Sequence, residues 1–183
     1  MKRVLLTALV LLPLLVAASA QTQDQGIEKA LLALPAQMRG AAMVIKWKGD
    51  FTYDTLRKGT NRLVCYERPI QPGDQPFSVE CTSNANLERV AQSLKTEKMF
   101  QDPKERRAAF ETMEKAGKWT KPEFGSVFYN LSGADPAQAR SHATISMPGA
   151  TKQTLGLPET GDQGGAWIMF AGSSAAHIML PGH

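Results

Sequence analysis

Two runs of alternating apolar and polar positions, Leu63 to Tyr66 and Phe77 to Cys81, flank the segment Ile70-Gln71-Pro72-Gly73-Asp74-Gln75-Pro76, and each run holds one of the chain's two cysteines. Pro72 presets φ, and Gly73 and Asp74 suit a tight reversal, so the stretch predicts a β-hairpin centred on Gly73. In that register Cys65 faces Cys81. Side chains alternate with period two, so Leu63, Cys65, Phe77, Val79 and Cys81 share one face and Val64, Tyr66, Ser78 and Glu80 the other. Directly opposed residues on antiparallel strands have Cα atoms about 4.5–5.5 Å apart, a gap that a disulfide spans. The remaining segments are expected to pack around this stapled hairpin.

The same reading extends along the chain. Ile27, Leu31 and Leu34 fall at i, i+4 and i+7, one stripe of a short helix that Pro35 should end. Met43, Ile45 and Trp47 alternate with Val44, Lys46 and Lys48 as a strand, and Phe51, Tyr53 and Thr55 continue as a second one. A three-residue loop between them pairs Trp47 with Tyr53 and keeps the aromatic residues on one face. Lys58-Gly59-Thr60-Asn61 supplies the next turn, so the first half reads as a four-strand antiparallel meander. Leu87, Val90, Ala91 and Leu94 then match the helical template, with Ser83 or Asn84 as cap. Asp102-Pro103-Lys104-Glu105 opens a second helix with inner stripe Ala109, Phe110, Met113 and Ala116, closed by Gly117.

Beyond that helix the period returns to two. Phe124 to Leu131 reads as a strand, Asp135 to Ala139 as a turn with a short helical piece, and His142 to Met147 as a strand with His142, Thr144 and Ser146 on one face. A loop rich in Gly, Pro and Thr follows, and Trp167–Phe170 and Ala176–Leu180 form a closing hairpin around Gly172-Ser173-Ser174. Two to three helices against about seven strands, in blocks without βαβ alternation, predict a single α+β domain with a mostly antiparallel sheet.

The first twenty of the 183 residues change the picture of where the protein acts. Lys2 and Arg3 precede an apolar run from Val4 to Ala17, and Ala18-Ser19-Ala20 is a small-residue cleavage signature, so residues 1–20 read as a signal peptide and residues 21–183 as an exported domain. The run is short for a membrane span, and no later segment approaches the ~20 apolar residues that one needs. An exported chain with two cysteines and no Cys-x-x-Cys is expected to oxidise them, which favours a structural disulfide over a nucleophilic or redox thiol. Without Lys2 and Arg3 the basic count falls to 19 against 17 acidic residues, a net charge of about +2. That balance, with no basic stripe interleaved with aromatics, gives no sign of nucleic-acid binding.

Three blocks carry a resemblance: T-L-R-K-G-T-N-R-L-V-C at 55–65, S-H-A-T-I-S-M-P-G-A at 141–150, and G-G-A-W-I-M-F-A-G-S-S-A-A-H-I-M-L-P at 164–181. In this order they resemble a family of small exported bacterial proteins, uncharacterised in activity. Where the family pattern has Gly and an aromatic after the Thr-Asn pair, this chain has Arg62 and Leu63. The resemblance implies one exported domain and implies no reaction.

Candidate chemistry is sparse. His142 and His177 each sit early in an expected strand, pointing away from the Ile-rich face, and can converge as acid and base or as metal ligands if their strands are neighbours. No H-x-x-x-H or H-E-x-x-H spacing supports a metal site, and hydrogen-bonded structural histidines are the plain alternative. Arg57, Lys58 and Arg62 bracket Gly59-Thr60-Asn61, a turn that can cup an anion or can simply be a solvated tip. Ser173 and Ser174 precede His177, but no nucleophile elbow frames them. Two functions follow as expectations: a non-catalytic exported module binding a small or envelope-associated ligand through Arg57, Thr60, Asn61, His142 and His177, or a small exported hydrolase using the two histidines. No cofactor is identified.

Overall fold

The computed structural model describes residues 24–182; residues 1–20, read above as a signal peptide, lie outside them. Residues 24–30 are helical (α1) and run into a 3-10 turn at Leu31–Ala33. After the one-turn helix α2 (Ala36–Arg39) come four strands: β1 (Met43–Trp47), β2 (Tyr53–Arg57), β3 (Leu63–Glu67) and β4 (Phe77–Ser83). Helices α3 (Leu87–Met99) and α4 (Pro103–Lys115) follow, then β5 (Val127–Gly133) and β6 (Arg140–Ser146). The one-turn helix α5 (Lys152–Leu155) and the strands β7 (Trp167–Met169) and β8 (His177–Leu180) complete an α+β domain. The eight strands make one sheet in the order β2-β1-β3-β4-β5-β6-β8-β7. That is one strand more than the expected count of about seven, and each of the eight overlaps a segment read above as a strand.

The hairpin has the expected register. Cys65 pairs with Cys81, Tyr66 with Glu80 and Leu63 with Ser83. The Cys65–Cys81 disulfide joins Cα atoms 4.1 Å apart. Around it, Ala30, Leu31, Leu34, Ala42 and Val44 form the core of one sheet face, under α1 and the 3-10 turn. On the opposite face Ile45, Trp47, Val64 and Tyr66 meet Leu87, Val90 and Leu94 of α3. The first helical stripe and that of α3 therefore cover opposite sides of the sheet, whereas no residue of α4 is buried.

The first half is not a meander. β1 pairs with β2 antiparallel and with β3 parallel, so it lies between them. The reason is burial. β1 is apolar on both faces, with Val44 in one core and Ile45 and Trp47 in the other, whereas β2 is Tyr-Asp-Thr-Leu-Arg with its first three residues exposed. A strand buried on both faces belongs inside a sheet, and a polar strand makes a tolerable edge. The β1–β2 turn is as expected: Trp47 pairs with Tyr53, and Phe51 takes the left-handed position of a three-residue loop, at φ 65°.

Gly59 carries the chain from β2 across β1 to β3. A Cβ there would lie 2.4 Å from the Met43 nitrogen and 2.8 Å from the Ala41 oxygen, so only glycine allows this approach. Further on, the Asp102 carboxylate caps α4 by accepting from the Lys104 and Glu105 N–H groups, and Gly117 closes it at φ 63°. Residues 135–138 form an Asx turn on Asp135, not a helical piece: its carboxylate accepts from Ala137 and Gln138 N–H, which satisfies the donors a helix would have used.

Candidate functional site

The sequence-nominated residues fall into two groups at opposite ends of the sheet. Arg57 ends the edge strand β2, where its guanidinium donates to the Arg39 carbonyl and to the Ala42 carbonyl, the latter at 2.8 and 3.2 Å. The Thr60 and Asn61 N–H groups both donate to the Ala41 carbonyl, at 2.8 and 3.1 Å, and the Asn61 side chain accepts from Leu63 N–H. Arg62 pairs with Glu123. The Arg57 guanidinium and the Thr60 and Asn61 N–H groups thus clasp the chain entering β1.

His142 and His177 lie at the other end and share one face. β6 pairs with β8, Ser146 opposite His177, so His142, Thr144, Ser146 and His177 all point to the side covered by α3 and α4. His142 stands four residues from Ser146, about 13 Å by strand rise. Burial lowers both imidazole pKa values, and the neighbouring Arg89 and His142 lower His177 further against the opposing pull of the Ala175 carbonyl. His177 Nδ1 lies 2.9 Å from that carbonyl, which can only accept; Nδ1 therefore carries the proton, and Nε2 is left for another partner. Among the described residues no cluster of three or more His, Cys, Asp or Glu side chains is placed to hold a metal. The Ser173 hydroxyl donates to the Phe170 carbonyl and the Ser174 hydroxyl to Glu114, so both are held in turn-stabilising contacts.

What the histidine face meets across from it is Arg89 of α3, only 8 % exposed. Its guanidinium stacks on the Trp119 indole, 3.9 Å from the ring centroid, and Phe110 stacks on the same indole with centroids 4.6 Å apart. Among the described residues its hydrogen-bond acceptor is a single one, the Thr120 carbonyl at 2.6 Å, although a guanidinium has five N–H donors. No described carboxylate lies within 4.0 Å of it. Burial accordingly lowers its pKa to about 10, with the more distant Glu114 opposing the fall. Glu114 is itself engaged: burial alone would raise its pKa, but the Ser174 hydroxyl and N–H, together with Arg89 and Lys121, bring it below its ordinary value.

Arg89, Trp119, Phe128, Thr144, Ser146 and His177 line a cavity of about 200 Å³. Trp119, Phe170 and Ala175 form its wall with a second cavity of about 410 Å³, which runs between Phe110 of α4 and the β7–β8 turn. Among the described residues the buried Trp119 Nε1–H has no acceptor. Phe170 stands at the junction, half exposed, 5.7 Å from the His177 ring and at φ 53°, a left-handed conformation that costs a non-glycine residue energy.

The sequence named His177 and His142 but neither Arg89 nor Trp119. Arg89 lies on the side of α3 away from its Leu87–Val90–Leu94 stripe, a position that periodicity assigns to solvent. It is buried because Lys118 to Pro122 folds back over it, and the available signal was the unassigned tryptophan in that connection. Searched against known proteins, the chain finds no matching family model, no matching curated protein and no matching solved structure, so the site is read from its own chemistry.

Proposed function

We propose that the protein is an exported, non-catalytic binding module that holds a small anion at Arg89, between α3 and the face of β6 and β8. One observation carries the reading: a guanidinium 8 % exposed, stacked on an indole, with one backbone acceptor and no contacting carboxylate among the described residues. Removing a cation from water is costly unless an anion or several acceptors replace the lost hydration. His177 Nε2 and the Thr144 and Ser146 side chains add polar partners for a ligand entering the cavity. Export is supported by the signal-like residues 1–20 and is compatible with the disulfide.

Native mass spectrometry on protein recovered from outside the cytoplasm tests both parts. The expected result is a mature N-terminus near Gln21 and a small acidic adduct that is released on denaturation and is absent from Arg89→Gln. An adduct equally retained by Arg89→Gln would overturn the binding site, and a chain beginning at Met1 would overturn the export.

A further inference from the structure

We propose that the ligand is an amphipathic monocarboxylate, its carboxylate on Arg89 and its apolar tail in the adjoining groove between Phe110, Trp119 and Phe170. The inference rests on the anion-binding reading above and adds the ligand's class and orientation.

Three observations lead to it. First, the two cavities share Trp119, Phe170 and Ala175, so a molecule anchored by Arg89 has one apolar channel to extend into. That channel is lined mainly by apolar surface from Phe110, Trp119, Phe170 and Ala175, with Arg106, Arg107, Glu111 and Glu114 along its α4 side, and its volume of about 410 Å³ lies in the range of small-molecule sites. Second, the charge suits a monoanion. Among the described residues Arg89 is the one arginine or lysine lining the smaller cavity, Glu114 adds a negative charge in the adjoining one, and burial shifts the histidines towards the neutral form. The cations at the channel mouth are engaged elsewhere, Arg106 on the Phe100 and Gln101 carbonyls and Arg107 on Glu111. A phosphate dianion would find too little positive charge. Third, Phe170 keeps a strained left-handed backbone while leaving half its surface in water. Glycine would serve the turn better, so the aromatic ring at this junction has a use other than folding.

Calorimetric titration of the oxidised protein with acetate, decanoate, decyl phosphate and decan-1-ol tests the assignment. Decanoate should bind about a hundredfold or more tighter than acetate, because its eight additional methylenes leave water. It should also bind about tenfold or more tighter than decan-1-ol and no more weakly than decyl phosphate. Arg89→Gln should weaken decanoate about thirtyfold or more. Phe170→Gly should weaken it about fivefold without lowering the melting temperature, and so gives an answer even where Arg89→Gln folds poorly. If acetate and decanoate bind alike and both respond to Arg89→Gln, the anion site stands and the tail assignment falls. If decyl phosphate or decanol outcompetes decanoate, the carboxylate assignment falls. If no anion responds to Arg89→Gln, the anion site falls with everything built on it.

Discussion

Two arginines, Arg68 partly buried and Arg89 buried, brace the same helix-covered face of this sheet, and among the described residues only the first meets carboxylates there. Arg68, just past β3, reaches Glu80 of β4 at 3.6 Å and is in contact with Glu97 of α3; the Tyr66 hydroxyl donates to Glu80. Burial works against the Arg68 charge, but the two carboxylates outweigh it and its pKa is raised. Glu80, wholly enclosed, is itself raised by burial despite Arg68 and Tyr66. Arg89, near the other end of α3, has an indole, one carbonyl and an open cavity, and its pKa falls. The first arrangement is a closed network that the fold completes from its own residues. The second is complete only on one side, and that incompleteness marks the site.

The contrast can be broken most forcefully at Arg68. Arg68→Met should destabilise the protein by about 3–5 kcal/mol, since Glu80 and Glu97 lose their counter-charge in a dry setting; chemical denaturation reads this, and a loss under 1 kcal/mol would remove the distinction drawn here. Next in size, Cys65→Ala with Cys81→Ala should cost about 3 kcal/mol on the chain-entropy account, with the unfolding midpoint lowered and the Arg89 cavity still able to bind. Arg89→Met should cost less, at most about 1–2 kcal/mol of stacking, because no carboxylate is left behind. If Arg89→Met proves as damaging as Arg68→Met, Arg89 is structural.

The smallest expected effect is on pH. The unfolded histidines take up protons near pH 6.5, whereas burial holds His142 and His177 to lower values in the fold. The unfolded chain then binds more protons, so stability is full above about pH 6.5 and declines as pH falls through the folded values. His142→Gln with His177→Gln should flatten the melting-temperature profile across this window, and an unchanged profile would contradict the assigned burial.

Where local rules and tertiary packing agreed, the residues announced the structure. The Cys65–Cys81 register, the Trp47–Tyr53 pair, the Asp102 cap and the α3 stripe all follow from periods of two or 3.6 and from turn chemistry. The order of β1 and β2 was not legible in that way, because sequential adjacency predicts a meander, while the polar Tyr53–Arg57 segment and the doubly apolar Met43–Trp47 segment settle which one lies at the edge. For the site, alternation placed His142 and His177 on one face. Arg57, Thr60 and Asn61 were nominated because cations bracket a tight turn there; in the fold the Arg57 guanidinium and the Thr60 and Asn61 N–H groups bond backbone carbonyls of residues 39–42. Arg89 was hidden for a different reason: its burial comes from a connection 30 residues away, which no local period encodes.

The placement of β1 also bears on the order of assembly. β3 and β4 close over a short span, 16 residues between the bonded sulfurs, but β1 meets β3 only through Met43–Val64 and Val44–Cys65, after the chain has passed through β2. Short-range pairings form ahead of long-range ones, so the crosslink is made in a ribbon whose outer side is still bare. Until β1 arrives, that side offers N–H and C=O groups to a second chain as readily as to its own. Refolding yield is therefore expected to fall as protein concentration rises, with the bare ribbon edge as the point of self-association.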